Sequence, residues 1–251
     1  GFWNNKVRLT LAGRYTTLQQ AYAGKPDSAS HFTPRAGLSV SIDKNTSVYG
    51  LYDQAFVPQS GNVRSGSVQP ITGNNIEFGI KRQWFGGKWS TGLTAYRILK
   101  NNELTADPTD SMMFFSVEMG QKISEGIEFD LKGTIAPGLS LVANYAYTDS
   151  RVSKVTDGVT LFKVGDVVPG FSKHTAHAWL TYRVLRGALK GFGVSAGATF
   201  LGARATYWDP SPNGSQLPDY FKLDGGLSWE GDKVTITANV FNILNQYLYS
   251  G

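Results

Sequence analysis

Residues 127–147 alternate with a period of two and turn over once. Ile127, Phe129, Leu131, Gly133 and Ile135 fall on one side, and Glu128, Asp130, Lys132 and Thr134 on the other. After Ala136-Pro137-Gly138, the residues Leu139, Leu141, Ala143, Tyr145 and Tyr147 resume the apolar side against Ser140, Asn144 and Thr148. A side-chain repeat of two marks a β-strand, whose successive residues point to opposite faces. One face here is apolar and aromatic while the other carries full charges. Such a sheet needs hydrocarbon on one side and water or a polar filling on the other. The same pattern recurs along the chain and predicts an all-β fold, the wall of an antiparallel transmembrane β-barrel.

Composition narrows the alternatives. The 251 residues include no Cys, which excludes disulfides and thiolate metal sites. The net charge is +5, but Lys and Arg are scattered through the strand runs instead of forming a stripe, which argues against a nucleic-acid partner. Charged residues make up 17%, below the roughly 25% of an ordinary soluble domain. No run approaches the ~20 apolar residues of a membrane-spanning helix. The strand pattern begins almost directly after Gly1-Phe2-Trp3-Asn4-Asn5, so no signal peptide is expected within the chain.

Period-two runs between breakers predict about eleven strands: 6–16, 35–42, 47–56, 75–84, 88–99, 114–135, 139–147, 175–184, 192–200, 221–229 and 234–240. A bulge is expected at 124–126, and Gly86-Gly87 reads as a two-residue hairpin turn. Short turns at Asp43, Gly86, Pro137, Gly187 and Gly231 alternate with long polar loops at 18–31, 58–73, 101–110, 152–171 and 204–218. Barrels of outer membranes have this asymmetry, with short turns at the periplasmic end. Tyr15, Trp84, Trp89, Tyr147 and Trp229 lie near strand ends, where an interfacial aromatic girdle belongs. The first and last strands are expected to run the same way. An odd count with parallel ends cannot close by itself, so the chain reads as part of a larger barrel.

Several phrases resemble one family, the TonB-dependent ferric-siderophore receptors. They are Thr33-Pro-Arg-Ala-Gly37, the segment from Tyr52 to Gly61, and Asn75-Ile-Glu-Phe-Gly-Ile-Lys81. Further along come Gly126-Ile-Glu-Phe-Asp-Leu-Lys-Gly133 with Pro137-Gly138-Leu139 and Asn144-Tyr-Ala-Tyr-Thr-Asp149, then Ala238-Asn-Val-Phe-Asn-Ile-Leu-Asn245. The stretch from Pro169 to His177 is similar to the hydroxamate branch. These phrases stand in the family's order over nearly the whole chain. The resemblance implies a barrel of about 22 strands around an N-terminal plug. Residues 1–251 would then be the C-terminal portion of that barrel, about 11 strands, with the plug, TonB box and closing strand absent from it.

The residue-level expectations follow in two groups. Glu77, Lys81, Glu128, Asp130, Lys132, Lys222 and Asp224 fall on the inward side of their strands, where they would line the lumen and contact the plug. Phe56, Gln59, Phe114, Phe115, Tyr207, Trp208 and Tyr220 lie at or beside long loops and are candidate ligand contacts. A ferric siderophore presents a chelated, largely apolar shell, which suits aromatic stacking and amide hydrogen bonds better than direct metal ligation. The bland alternative is that these aromatics pack loops together or belong to the girdle. His174 and His177 form H-x-x-H, but residues three apart on a strand face opposite ways and cannot share an ion. No resident metal, cofactor or catalytic group is expected.

If the resemblance holds, the chain serves TonB-energised uptake of a ferric siderophore, hydroxamate type favoured, across the outer membrane of a Gram-negative bacterium. Its partners would be the siderophore, outer-membrane lipid and, through the plug, the TonB–ExbB–ExbD complex. A monomer is expected. Catecholate, haem and cobalamin stay open as ligands, and a passive porin is the alternative within the same membrane. A soluble adhesin or carbohydrate binder would leave the apolar rows in water. An enzyme would need a catalytic constellation that the motifs do not supply.

Overall fold

A computed structural model describes residues 2–4, 6–22, 25–64, 68–107, 110, 112, 114–160, 162–205 and 216–247. In chain order the strands are β1 (Val7–Tyr22), β2 (Lys25–Ser41), β3 (Thr46–Val57), β4 (Ile71–Trp84), β5 (Trp89–Asn101), β6 (Leu104–Ala106) and β7 (Ser116–Glu118). They continue as β8 (Gln121–Ala136), β9 (Leu139–Lys154), β10 (Ser172–Arg183), β11 (Phe192–Ala205), β12 (Gln216–Leu217), β13 (Tyr220–Glu230) and β14 (Thr235–Val240). Eleven of them follow one another as an antiparallel meander, β1-β2-β3-β4-β5-β8-β9-β10-β11-β13-β14. The short β6 and β7 pair with each other, and β12 pairs with β11. Since every step reverses direction, β1 and β14 run the same way. Among the described residues neither outer edge has a second partner.

Pairing aligns the alternation of each strand with that of its neighbours. One row reads Val7, Val40, Val48, Ile80, Leu93, Phe129, Tyr145, Ala176, Phe200 and Phe221 across ten strands. The next residue along gives Arg8, Ser39, Tyr49, Gly79, Thr94, Glu128, Ala146, Thr175, Leu201 and Tyr220. A slip of one residue would exchange the two faces, so the charges fix the register as firmly as the hydrocarbon does. On the apolar face Leu11 is 70% exposed and Phe78 64% exposed. Among the described residues no second layer covers these side chains, which is the condition of a lipid-facing wall.

Several boundaries differ from the alternation reading. The 18–31 loop is instead a continuation of the β1–β2 hairpin, paired as far as Tyr22 and Lys25. Gln19, Ser28 and Ser30 stand there on the face that is apolar lower down, with Leu18 and Ala29 on the reverse face, so the apolar row that marks the strand stops. The run expected from 114 to 135 breaks after β7, and β8 starts at Gln121 behind Gly120, whose φ of +84° a side-chain-bearing residue rarely adopts. The bulge expected at 124–126 is displaced: the register shifts lie between Gln121 and Lys122 and between Thr134 and Ala136. The β4–β5 connection occupies 85–88, not two residues, because Trp84 and Trp89 are themselves paired. Trp89 also explains Gly133. The two are directly opposed, the indole lies across the glycine, and a Cβ there would collide with the ring.

The buried apolar cluster lies where loops meet the end of β9, not under the sheet. Met119, Val152, Phe162 and Val168 are buried together, with Val155 and Val159 packed against them. The 155–171 loop folds back along β9: Val152 N–H donates to Asp166 O at 2.9 Å and Val168 N–H to Ser150 O at 3.0 Å. Beside it, Glu103 accepts from Lys100 at 2.5 Å and also pairs with Lys122. The ladder sets Lys100 and Lys122 directly opposite one another, so Glu103 separates two like charges. Burial by itself raises the Glu103 carboxyl, but the hydrogen bonds and charges of the two lysines outweigh it and hold the group below its ordinary value.

Two outcomes are expected. Val152→Ala removes the best-buried side chain of the loop cluster, at a cost of about 2 kcal/mol. Limited proteolysis would read this as faster cleavage within 155–171, with the heat-resistant gel mobility of the barrel unchanged. A carboxyl whose folded value is depressed stabilises above its unfolded value, near 4.3, and loses that contribution as pH falls further. Cleavage in the 102–120 loop should therefore accelerate below about pH 4, and Glu103→Gln should show the accelerated rate already at pH 7. The effect stays within about 1 kcal/mol, because water reaches part of the cluster.

Candidate functional site

The polar face carries all seven residues expected to line an interior. Glu77 accepts a 2.6 Å hydrogen bond from Tyr49 Oη, which lies 2.9 Å from Thr94 Oγ1. The Lys81 ammonium stands 5.2 Å over the Tyr49 ring. Glu128 and Asp130 are two apart on β8 and so share this face. Lys81, Gly92 and Asp130 form one row, and the glycine leaves a gap between the lysine and the aspartate. Lys132 lies two residues further along β8, opposite Ser90 and Val142. On β13, Lys222 pairs with Asp224 at 2.9 Å, and Asp224 also accepts Asn242 N–H at 2.7 Å. Three carboxylates and two amines are thus held on the wall around β4, β5 and β8. They can exchange hydrogen bonds with water or with an opposing polar surface.

The aromatic candidates separate into different surroundings at the long-loop end. Phe114 and Phe115 meet edge to face at 5.2 Å. The Arg64 guanidinium lies 4.7 Å over Phe115 and pairs at 2.8 Å with the buried Asp107. Asp110 orders the turn: its carboxylate accepts N–H groups of Phe115 and Phe114 at 2.7 Å and of Met112 at 3.2 Å. The hydrogen bond from Phe115 N–H leads these in keeping the Asp110 carboxyl below the usual range. Phe114 is left exposed.

Gln59 belongs to the same region as a tie between loops. Its Nε2 donates to Gln69 O at 2.6 Å and to Asn102 O, while its Oε1 accepts Leu104 N–H at 3.3 Å. Phe56 instead stacks on His31, with centroids 5.5 Å apart. Tyr220 opens β13 under the Arg204 guanidinium at 5.2 Å. Tyr207 and Trp208 lie outside the described residues. The two histidines go separate ways: His174 Nδ1 is 2.8 Å from Tyr145 Oη, and His177 Nδ1 is 3.1 Å from Thr199 Oγ1.

Arg64, Asp107 and Asp110 are the contributors that pattern reading overlooks. Asp110 sits in Asp-Pro-Thr-Asp, whose Asp side chains favour turns, so a local signal was available. Arg64 is an isolated charge in a polar loop, and its partner is 43 residues away.

Comparison with known proteins fits this architecture. The family described as TonB dependent receptor-like, beta-barrel matches residues 2–243. The ferrichrome outer membrane transporter/phage receptor of Escherichia coli K12 is 31% identical over 242 residues, covering 94% of this chain and 31% of that protein. The ferrioxamine B receptor of Salmonella typhimurium is 29% identical, covering 88% of this chain and 31% of its own length. The chain therefore spans about a third of the length of these curated relatives. Among solved structures, the ferric preacinetobactin receptor BauA of Acinetobacter baumannii superposes with a TM-score of 0.76 at 22% identity, over 98% of this chain and 37% of that one. The ferripyoverdine receptor of Pseudomonas aeruginosa gives 0.73 at 22% identity, over 97% and 33%. By the family match over almost its entire length, this chain belongs to the TonB-dependent receptor β-barrel family.

Proposed function

We propose that the chain forms part of the barrel of an outer-membrane receptor for TonB-energised uptake of a ferric siderophore in a Gram-negative bacterium. The observation that carries this reading is the family match over residues 2–243, joined to relatives that are receptors for ferrichrome and ferrioxamine B. The hydroxamate class is favoured by the wording of the Pro169 to His177 segment. The receptor works as a monomer, and the TonB–ExbB–ExbD complex acts on it through a plug enclosed by the whole barrel.

In this reading the two faces of the wall have separate work. Glu77, Lys81, Glu128, Asp130, Lys132, Lys222 and Asp224 hold the plug by hydrogen bonds and ion pairs that water can replace when it moves. Phe114 and Phe115 offer the siderophore an aromatic surface at the outer mouth, pre-ordered by Asp110 and backed by Arg64. Phe56 near the end of β3 and Tyr220 at the start of β13 are further candidate contacts, as are Tyr207 and Trp208, which lie outside the described residues. Gln59 acts by holding the loops in place. Stacking against a chelated metal needs no protein ligand to the iron, so binding leaves the chelate intact.

The test is uptake of radio-iron by a deletion strain carrying the full-length gene, with ferrichrome or ferrioxamine B as the sole iron source. Wild type should restore uptake in a TonB-dependent way, and a catecholate chelate should not compete. Phe114→Ala combined with Phe115→Ala should weaken binding about tenfold, near 1.4 kcal/mol, with surface expression unchanged. Restored growth without TonB would point to a passive porin. Uptake indifferent to the gene for every ferric siderophore tried would end the proposal.

A further inference from the structure

The ladder sets two cations face to face on the polar side of the wall. Lys100 of β5 lies directly opposite Lys122 of β8. Lys122 precedes Glu128 by six residues on the same strand, and an even number of steps keeps both on one face. Like charges directly opposed across a ladder repel. One carboxylate answers both: Glu103 accepts from Lys100 at 2.5 Å and pairs with Lys122 as well. Two amines therefore share one acid, and a single positive charge is left over.

The two lysines are not equivalent. The Lys122 side chain is 13% exposed and that of Lys100 37%. Beyond Lys122 the row continues into Val152, which is buried in the loop cluster. Beyond Lys100 it continues through Gly73 to Ala55, which is exposed. A Cβ on Gly73 would lie 2.6 Å from Leu99 O, so the backbone there stays bare. Small residues thus leave open floor beside the more exposed lysine.

Glu103 also stands at the base of the hairpin that carries the aromatic pair. Across β6 and β7, Met119 N–H donates to Glu103 O and Asp107 N–H donates to Phe115 O, each at 2.9 Å. Four residues of extended chain separate these rungs, about 13 Å. A chelate stacked on Phe114 and Phe115 therefore has the lysine pair within reach of one flexible arm.

From this juxtaposition we infer that the lysine pair is an anion subsite of the receptor, with Glu103 as its stand-in occupant. A carboxylate on the free arm of a hydroxamate chelate takes Lys100, and Glu103 retreats to Lys122. The exchange matches each amine with one acid through charge-assisted hydrogen bonds and removes the leftover charge. The inference rests on the siderophore reading and narrows it to chelates that carry a free carboxylate.

The experiment is a tryptophan-fluorescence titration of the purified full-length receptor with two ferric derivatives of ferrioxamine B. In one the terminal amine carries a succinyl group, in the other a succinamoyl group. The probes share chelate and arm length and differ only in a carboxylate against a neutral amide. Wild type should bind the carboxylate about fivefold tighter. Lys100→Gln should abolish that preference, and Lys100→Arg should keep it. Glu103→Gln, which removes the competing acid, should raise the preference severalfold further. Lys163→Gln, at an exposed lysine of the 155–171 loop, should match wild type, which separates a local subsite from general attraction. Heat-resistant gel mobility identifies folded variants, and Glu103→Gln decides the test by its sign if Lys100→Gln fails to fold. Equal affinity of wild type for the two chelates, or a weaker preference in Glu103→Gln, would overturn the inference and leave the siderophore reading standing. Binding of neither chelate, nor of ferrichrome, would overturn both.

Discussion

Backbone pairing locks the two side-chain faces of this sheet to opposite surroundings, and every other feature follows from keeping them there. Each outward Leu, Ile or Phe is worth about 1.5–3 kcal/mol when moved out of water. Rows such as Val7 to Phe221 contain enough of them that leaving a few in water would outweigh the roughly 5–15 kcal/mol that holds an ordinary domain folded. The same pairing places Glu128, Asp130 and Lys81 on the reverse side, where hydrocarbon would be equally costly for them. Hydrocarbon and water must therefore both be present, one on each side of a single layer.

That division explains why the conventional core is displaced into the loops. A single-layer wall has no second layer to pack against, so its apolar side chains stay open to lipid. The buried cluster of Met119, Val152, Phe162 and Val168 forms only where the 155–171 loop folds back beside the end of β9. Loops organised in this way can present Phe114 and Phe115 in fixed positions, with Asp110 holding the turn from behind. Ordered loops on a rigid sheet are the usual arrangement for recognition at the mouth of a barrel.

The sheet was legible in the sequence because alternation is a local property. The strand directions, the eleven-strand path and the placement of Glu77, Glu128 and Asp130 all follow from counting by twos. The outer hairpin of β1 and β2 was not, because Gln19, Ser28 and Ser30 stand where the outward apolar row would have continued. The break at Gly120 and the shifts at Gln121 and Thr134 depend on how loops rejoin the ladder, which no short window records. The loop site was readable only in part. Aromatic residues beside loops are visible as composition, but the tie made by Gln59 and the pairing of Arg64 with Asp107 join segments more than forty residues apart.

The central claim is tested most directly by labelling along β8, since residues 1–251 contain no cysteine and any elsewhere in the receptor is first replaced by serine. Single cysteines are placed in turn at positions 127–133 of the full-length receptor in lipid vesicles. Positions 127, 129, 131 and 133 should be quenched by lipid-borne nitroxide and react slowly with a charged maleimide. Positions 128, 130 and 132 should show the reverse, giving a strict period of two. A helical period near 3.6, or equal protection of both sets, would contradict the account.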